Sequence, residues 1–209
     1  MEIKKVDRVP PNVVPRLSRY YRILCDNSQK ERISSQELSN ESGFTAAQIR
    51  KDLGYFGQFG YPGRGYNVEE LKGSIGKILG LDRRWNVALV GVGNLGLALL
   101  GYKGFRKQGF DIVAAFDADR RKTGKKVNGV KINSIKSLPQ VAKKLNIQMA
   151  IITVPDNAAQ NVADLAVMAG VKAILNFAPV RLKLPESTKI RNIDMTIEIE
   201  RLSFLISRE

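Results

Sequence analysis

Apolar positions follow two different rhythms along this chain. Through about the first 80 residues they recur at three- and four-residue intervals, the spacing of one helix face. "VVPRLSRYYRILC" (13–25) sets Val14, Leu17, Tyr21 and Leu24 on one stripe. "SSQELSNESG" (34–43) predicts a short second helix, with Ser34 and Glu37 spaced as a capping box and Gly43 as its stop. A third helix is expected from Thr45, with Gln48 completing a second box and Ile49, Leu53 and Phe56 as its inward stripe. "GQFGYPGRGYNV" (57–68) reads as a β-hairpin turning at Pro62-Gly63. A fourth helix over 68–79 carries Leu71, Ile75 and Ile78, and Gly80 ends it.

After "LDRRW" (81–85) short apolar runs alternate with amphipathic stretches. The pattern predicts strands at 86–91, 110–117, 147–154 and 171–177. Helices are predicted at about 94–107 (stopped by Gly109), 138–145 and 157–170, and 118–132 reads as a basic loop. Strand alternating with helix implies a parallel sheet covered on both faces. The last segment, "NIDMTIEIERLSFLIS", fits a helix stripe through Met195, Ile199, Leu202 and Ile206. Strand alternation at Ile197 and Ile199 competes, and length favours the helix.

Composition narrows the chemistry. The 209 residues carry a net charge of +14, a balance that attracts polyanions. Both halves share it: residues 1–85 hold 15 Lys/Arg against 10 Asp/Glu, and residues 86–209 hold 19 against 10. Charge alone therefore does not say which half would touch nucleic acid. Histidine is absent, which removes the commonest general acid/base and the commonest metal ligand. One cysteine, Cys25, allows neither an intrachain disulfide nor a thiolate zinc site. Cys25 lies one step from the apolar stripe of the first helix, so a packed thiol is favoured over a redox sensor. No apolar run approaches a membrane span and the start lacks a signal-peptide core, so a cytoplasmic protein with no membrane and no metal partner is expected.

"NVALVGVGNLG" (86–96) contains G-x-G-x-x-G as Gly91, Gly93 and Gly96, between a strand and a helix. Gly91 permits the tight turn, Gly93 lets a pyrophosphate approach, and Gly96 lets helix and strand meet closely. The turn Gly91, Val92, Gly93, Asn94, Leu95, Gly96 would present helix N–H groups to phosphates, with Asp117 accepting from ribose hydroxyls. The bland alternative is a glycine turn that only packs a helix on a sheet. Asp117 argues for NAD over NADP, since a carboxylate repels a 2′-phosphate. Arg120, Arg121, Lys122, Lys125 and Lys126 complicate that reading, although a solvated loop accounts for them more simply. With no histidine and only enough chain to complete a nucleotide fold, a sensed ligand fits better than a consumed one.

Three short helices and a glycine-rich hairpin follow the order of a winged helix-turn-helix. With Ile49, Leu53 and Phe56 inward, the opposite face of the third helix carries Ala47, Lys51 and Gly54, flanked by Gln48, Arg50 and Tyr55. Such side chains read bases or grip phosphate, and Arg64 at the hairpin tip would reach a minor groove. A helical protein-interaction module with a solvated basic face is the alternative.

"RLSRYYRIL", "TAAQIRKDLGYFGQFG", "GRGYNVEEL", "VGVGNLG", "TVPDNAAQNVADLAVMAGVKAILNFAPVRL" and "NIDMTIEIERLSFLI" together resemble the Rex family of redox-sensing transcriptional repressors, in the same order over nearly the whole chain. "QIRKDLGYFG" and "ILNFAPV" are the most specific of these. The resemblance implies an α/β chain: a winged-helix DNA-binding domain at 1–80, a Rossmann-type doubly wound parallel sheet at 81–193, and a C-terminal helix at 194–209 exchanged in a homodimer. It implies a repressor that binds a palindromic double-stranded operator, senses NADH and NAD⁺, and is released by NADH. It places Thr45, Gln48, Arg50, Lys51, Tyr55 and Arg64 on DNA. The dinucleotide would lie on Gly91–Gly96 and Asp117, with Thr153, Val154, Pro155, Asn176 and Phe177 bordering the nicotinamide half. Coupling is expected through Arg22, Tyr102 and Asp194. Leu97 and Gly54 depart from the family, which often has a polar residue at the first and serine at the second. Leu97 loses a phosphate contact, and Gly54 should loosen the recognition helix. The rival classes are an NAD(P)-dependent oxidoreductase or CoA-binding domain with an accessory head, and a protein-interaction module.

Overall fold

A computed structural model describes residues 9–61 and 63–208. The chain divides into two compact units, Met1–Arg83 and Arg84–Glu209, three residues beyond the boundary expected at 80/81.

In the first unit, α1 (Val13–Asp26) leads through β1 (Arg32–Ile33) to α2 (Ser35–Ser42), α3 (Ala46–Gly54), β2 (Tyr66–Asn67) and α4 (Val68–Ile78). The capping box at α2 is complete, with Ser34 and Glu37 bonding one another reciprocally and Gly43 closing the helix in the left-handed region. At α3 only half the expected box forms. Thr45 Oγ1 accepts the Gln48 backbone N–H at 3.2 Å, but the Gln48 amide turns away and donates to Asp52 at 2.7 Å. The inward face of α1 is Val13, Leu17, Tyr20 and Leu24. This corrects the expected stripe, since Val14 is 48% exposed and Tyr21 only half-buried. The reason lies across the core: Asp52 is fully buried and draws Tyr20 and Arg16 toward it. Cys25 is exposed, not packed.

The wing also differs from a simple hairpin. Its two arms share one antiparallel bridge, Tyr61 with Gly65, while Tyr66–Asn67 pairs with Arg32–Ile33 ahead of α2. Pro62, half of the expected turn, lies outside the described residues. Arg32 clamps the returning arm by donating to the carbonyls of Arg64 at 2.6 Å and Gly65 at 3.2 Å.

The second unit runs β3 (Trp85–Val90), α5 (Asn94–Gly101), α6 (Lys103–Lys107), β4 (Phe110–Asp117), β5 (Lys126–Val127), β6 (Val130–Ser134), α7 (Leu138–Lys144), β7 (Met149–Ile152), α8 (Asp156–Met168), β8 (Ala173–Asn176), β9 (Lys189–Asn192) and α9 (Met195–Ile206). The sheet order is β5-β6-β4-β3-β7-β8-β9, parallel except for β5. Setting β5 aside, the strands lie in the doubly wound order 3-2-1-4-5-6 of a Rossmann fold. Alternation along β3 explains the two layers. Ala88 and Val90 bury among residues of α7 and α8, while Val87 and Leu89 bury beside α5 and α6.

Three elements depart from expectation. The helix predicted over 94–107 breaks at Tyr102, whose backbone is extended between Gly101 and Gly104. Two glycines within four residues remove the helical preference needed to carry the turn through. The basic loop contains the hairpin β5–β6, turned by Asn128 and Gly129, both at positive φ. That Asn-Gly pair is a strong hairpin signal in the sequence. β9 had no apolar alternation to reveal it and takes its place by pairing with β8.

Two stability outcomes follow from the first unit. Asp52 is held below the ordinary carboxylate value: burial pushes it up, but bonds from Arg16, Gln48 and Tyr20 outweigh that. A depressed carboxylate contributes stability above its unfolded pKa and loses it as pH falls. Asp52→Ala should cost about 3–5 kcal/mol in chemical denaturation, because it strands Arg16 in a largely buried site. The variant should also lose part of the wild type's dependence on pH below about 4. Gly54 lies at the exposed end of α3 with open space where a Cβ would stand. Gly54→Ala should raise stability by about 0.5–1 kcal/mol.

Candidate nucleic-acid and dinucleotide sites

On α3 the inward residues Ile49, Asp52 and Leu53 are buried, as is Phe56 just beyond its end, which leaves Ala47, Arg50, Lys51 and Gly54 exposed on the other side. Small Ala47 and Gly54 let the helix axis come close to a partner, while Arg50 and Lys51 supply charge. Thr45 and Arg64 are also exposed. Gln48 and Tyr55 are less available. Gln48 is half-buried with its amide spent on Asp52, and Tyr55 lies half-buried against the core.

Between α3 and the wing lies a groove of about 630 Å³, lined in part by Ser35, Arg50, Gly54, Gln58 and Tyr61. Arg50 reaches across it to donate to Ser35 Oγ at 2.9 Å, beside the first turn of α2. Cationic and hydroxyl donors gathered at a helix start suit a phosphate backbone.

Two residues the motif reading missed hold this surface in place. Arg16 donates to both carboxylate oxygens of Asp52, at 2.6 and 2.7 Å, and the Tyr20 hydroxyl donates at 2.9 Å. This network ties α1 to α3 and sets the angle at which Arg50 and Lys51 project. The sequence signal was an aspartate on the apolar side of a helix, which needs a buried cation.

The second site stands where the strand order reverses, at the C-terminal ends of neighbouring β3 and β7. Its floor is backbone. Gly91 turns at φ 97°, and a Cβ there would stand 2.7 Å from the Thr153 carbonyl oxygen. A Cβ on Gly96 would stand 2.0 Å from the Gly91 carbonyl oxygen. The turn's contact with the residues after β7 therefore requires glycine at 91, and the close approach of α5 to the turn requires glycine at 96. Gly93 has open space where its side chain would be. It precedes α5, whose start has no side-chain cap, so first-turn N–H groups face outward. Thr153 pins the turn, with Oγ1 2.7 Å from the Gly91 carbonyl and 3.1 Å from that of Val90.

The rim residues differ in availability. Asp117 ends β4, and its carboxylate accepts N–H bonds from Val92 and Asp119, each at 2.8 Å. Lys122 Nζ lies 3.0 Å from Asp117 Oδ2 and 2.9 Å from the Val92 carbonyl. Burial raises the Asp117 pKa, yet these donors and the ammonium hold it below the usual range. Asn176 is fully buried. Its NH₂ donates to Ala178, Val180 and Asn192, and its carbonyl accepts from the Ala178 N–H. It therefore shapes the turn carrying half-buried Phe177 and does not itself face the site. Thr153 and Val154 are half-buried and Pro155 is exposed at the end of β7. Leu97 is 42% exposed on the second turn of α5.

Of the proposed coupling residues, Arg22 belongs to the first unit, and Tyr102 and Asp194 to the second. Tyr102 sits at the α5–α6 break, 61% exposed, edge-on to Phe105. Asp194 caps α9 by accepting the Thr196 N–H at 2.9 Å.

Residues 8–54 match a family model described as a putative DNA-binding protein N-terminus, and residues 82–180 match a CoA binding domain. The chain is 48% identical over 202 residues to the redox-sensing transcriptional repressor Rex of Desulfitobacterium hafniense, covering 96% of each. It superposes with TM-score 0.91 and 39% identity on the crystal structure of RSP in complex with beta-NAD⁺ and operator DNA, covering 96% of this chain and 94% of that one. The match to RSP in complex with beta-NADH has TM-score 0.85 and 38% identity, covering 96% and 95%. With identity at this level over 96% of its length, the chain belongs to the Rex family of redox-sensing transcriptional repressors.

Proposed function

We propose that this protein is a DNA-binding transcriptional repressor that senses the NADH/NAD⁺ balance and leaves a palindromic operator when NADH binds. One observation carries the reading: a basic winged-helix surface and a backbone-lined dinucleotide cradle lie on one chain. That chain matches, nearly end to end, a repressor seen both with operator DNA and with each form of the dinucleotide. The cradle fits the ligand. Gly93 leaves room beside uncapped N–H groups, which suits a pyrophosphate at a helix start.

In this reading the pyrophosphate lies over Gly91–Gly96, with Val92, Asn94 and Leu95 presenting backbone. The adenosine ribose meets Asp117. Thr153–Pro155 and Phe177 border the nicotinamide, and Asn176 acts through the turn it holds. Arg50, Lys51 and Thr45 meet the major groove or its phosphates, and Arg64 enters the minor groove. Tyr55 and Gln48 contribute mainly by positioning. The protein works in the cytoplasm and catalyses no turnover of the dinucleotide.

Dimerisation follows from α9. Met195, Ile199, Leu202 and Leu205 are each more than half exposed, and β9 ends the sheet with all four residues exposed. An apolar helix left uncovered needs a partner surface, and exchange between two copies supplies one.

NADH and NAD⁺ differ by one hydride and one positive charge, so the switch must be read near the nicotinamide. The proposed reader is Asp194, bonding Tyr102 in one state and Arg22 in the other. Turning DNA binding from mostly on to mostly off takes up to ~5.5 kcal/mol of differential affinity. One rearranged polar cluster supplies about 1–3 kcal/mol, so domain repacking must supply the rest.

Three outcomes are expected. In gel-shift titration, saturating NADH should release the operator and saturating NAD⁺ should not; equal retention with both would overturn the reading. Arg64→Ala should weaken operator binding by about 1–3 kcal/mol and leave NADH affinity alone, as fluorescence anisotropy and calorimetry would show. Asp194→Asn keeps an acceptor for Thr196 and removes the charge. It should change NADH affinity by less than about threefold while blunting NADH-driven release.

A further inference from the structure

The usual argument for NAD over NADP rests on an unpaired carboxylate at the end of the second strand of the fold, which repels a 2′-phosphate. Asp117 is not unpaired. Three donors already occupy its oxygens: Val92 N–H and Lys122 Nζ on Oδ2, and Asp119 N–H on Oδ1. A carboxylate offers about four lone-pair sites, so one acceptor position remains, on Oδ1. Lys122 is anchored just as firmly. Two of its three ammonium protons are directed at Asp117 and the Val92 carbonyl, which leaves one to donate. The pair remains reachable, with side-chain exposures of 12% for Asp117 and 38% for Lys122.

Neighbouring charges do not duplicate this role. Arg121 is engaged by Asp119 at 2.8 Å, so its charge is compensated locally. Arg120 and Lys125 are exposed, and the donors on the Asp117 carboxylate among the described residues are Val92, Asp119 and Lys122. The group facing the adenosine end is therefore a neutral pair with one acceptor and one donor side by side.

We propose that Lys122 is a specificity-determining residue of the dinucleotide site, reading the adenosine ribose together with Asp117 and cancelling the charge that would otherwise reject a 2′-phosphate. The proposal rests on the dinucleotide reading above and refines it. One ribose hydroxyl donates to Asp117 Oδ1 and the other accepts from Lys122 Nζ. Because the pair is neutral, electrostatic rejection of NADPH is weaker here than a bare carboxylate would give. Lys122 also ties the ribose end to the glycine turn, because the same ammonium holds the Val92 carbonyl.

The test is calorimetric titration of the full chain with NADH and with NADPH. Lys122→Met and Lys122→Gln both remove the charge, and Gln keeps a donor for Val92, so either variant that melts like wild type decides the question. Removing the ammonium should widen the gap between NADPH and NADH affinity by about tenfold, and Lys122→Arg should leave it within about threefold. Asp117→Asn should move the gap the opposite way. If the charge-removing variants weaken both dinucleotides by the same factor, or change neither, Lys122 is only a structural tie and the proposal falls. If wild type binds neither dinucleotide, the dinucleotide reading itself falls, a result distinct from an unchanged ratio.

Discussion

A single added carbon on Gly96 would stand 2.0 Å from the carbonyl oxygen of Gly91. Helix α5 can meet the turn after β3 only because Gly96 carries no side chain at that point. The rest of the second unit follows from this approach. It sets the helix start at the C-terminal ends of the paired strands β3 and β7, where the strand order reverses, and it turns the first N–H groups outward. Thr153 reinforces it by bridging the turn to β7. A floor made of backbone grips phosphate well but carries no information about which nucleotide sits on it. In the proposed reading discrimination comes from the rim, from the Asp117–Lys122 pair and the Asn176-braced turn.

The first unit solves its positioning problem in the opposite way, with side chains. A charged carboxylate, Asp52, is fully buried under α3 and satisfied by Arg16, Tyr20 and Gln48. Such a pair costs desolvation and adds little net stability, but it leaves few alternative arrangements of α1 against α3. That fixed angle leaves Ala47, Arg50, Lys51 and Gly54 on the outside as one surface. Gln48 illustrates the trade. Its amide, of a type suited to reading adenine, is directed inward to complete the network. Arg32 plays a similar part for the wing, holding the carbonyls of the tip residue Arg64 and of Gly65 after it.

Much of this was legible in the chain. The ordering of helices and strands, the complete capping box at Ser34–Glu37, the glycine turn and the last helix all express local preference or short-range periodicity. These act within a few residues and leave a mark in composition. The Rossmann strand order follows once strands and helices alternate, because right-handed crossovers leave few topologies. The hairpin at Asn128-Gly129 was equally visible, since that dipeptide favours the positive φ values of its turn, but the surrounding lysines masked it as loop.

What the sequence by itself determined is therefore the set of elements and the residue types available to each site: the glycines of the cradle, the basic outer face of α3 and the apolar stripe of α9. Tertiary structure alone decided how those residues are used. It rotated α1 so that Tyr20 rather than Val14 faces inward, recruited Lys122 to Asp117, withdrew Asn176 from the site and added β9 to the sheet by pairing with β8. Each of these outcomes depends on partners distant in the chain or on a competition for hydrogen bonds. A buried carboxylate must find a donor and an edge must find a strand, and neither requirement is written in the spacing of the residues that meet it.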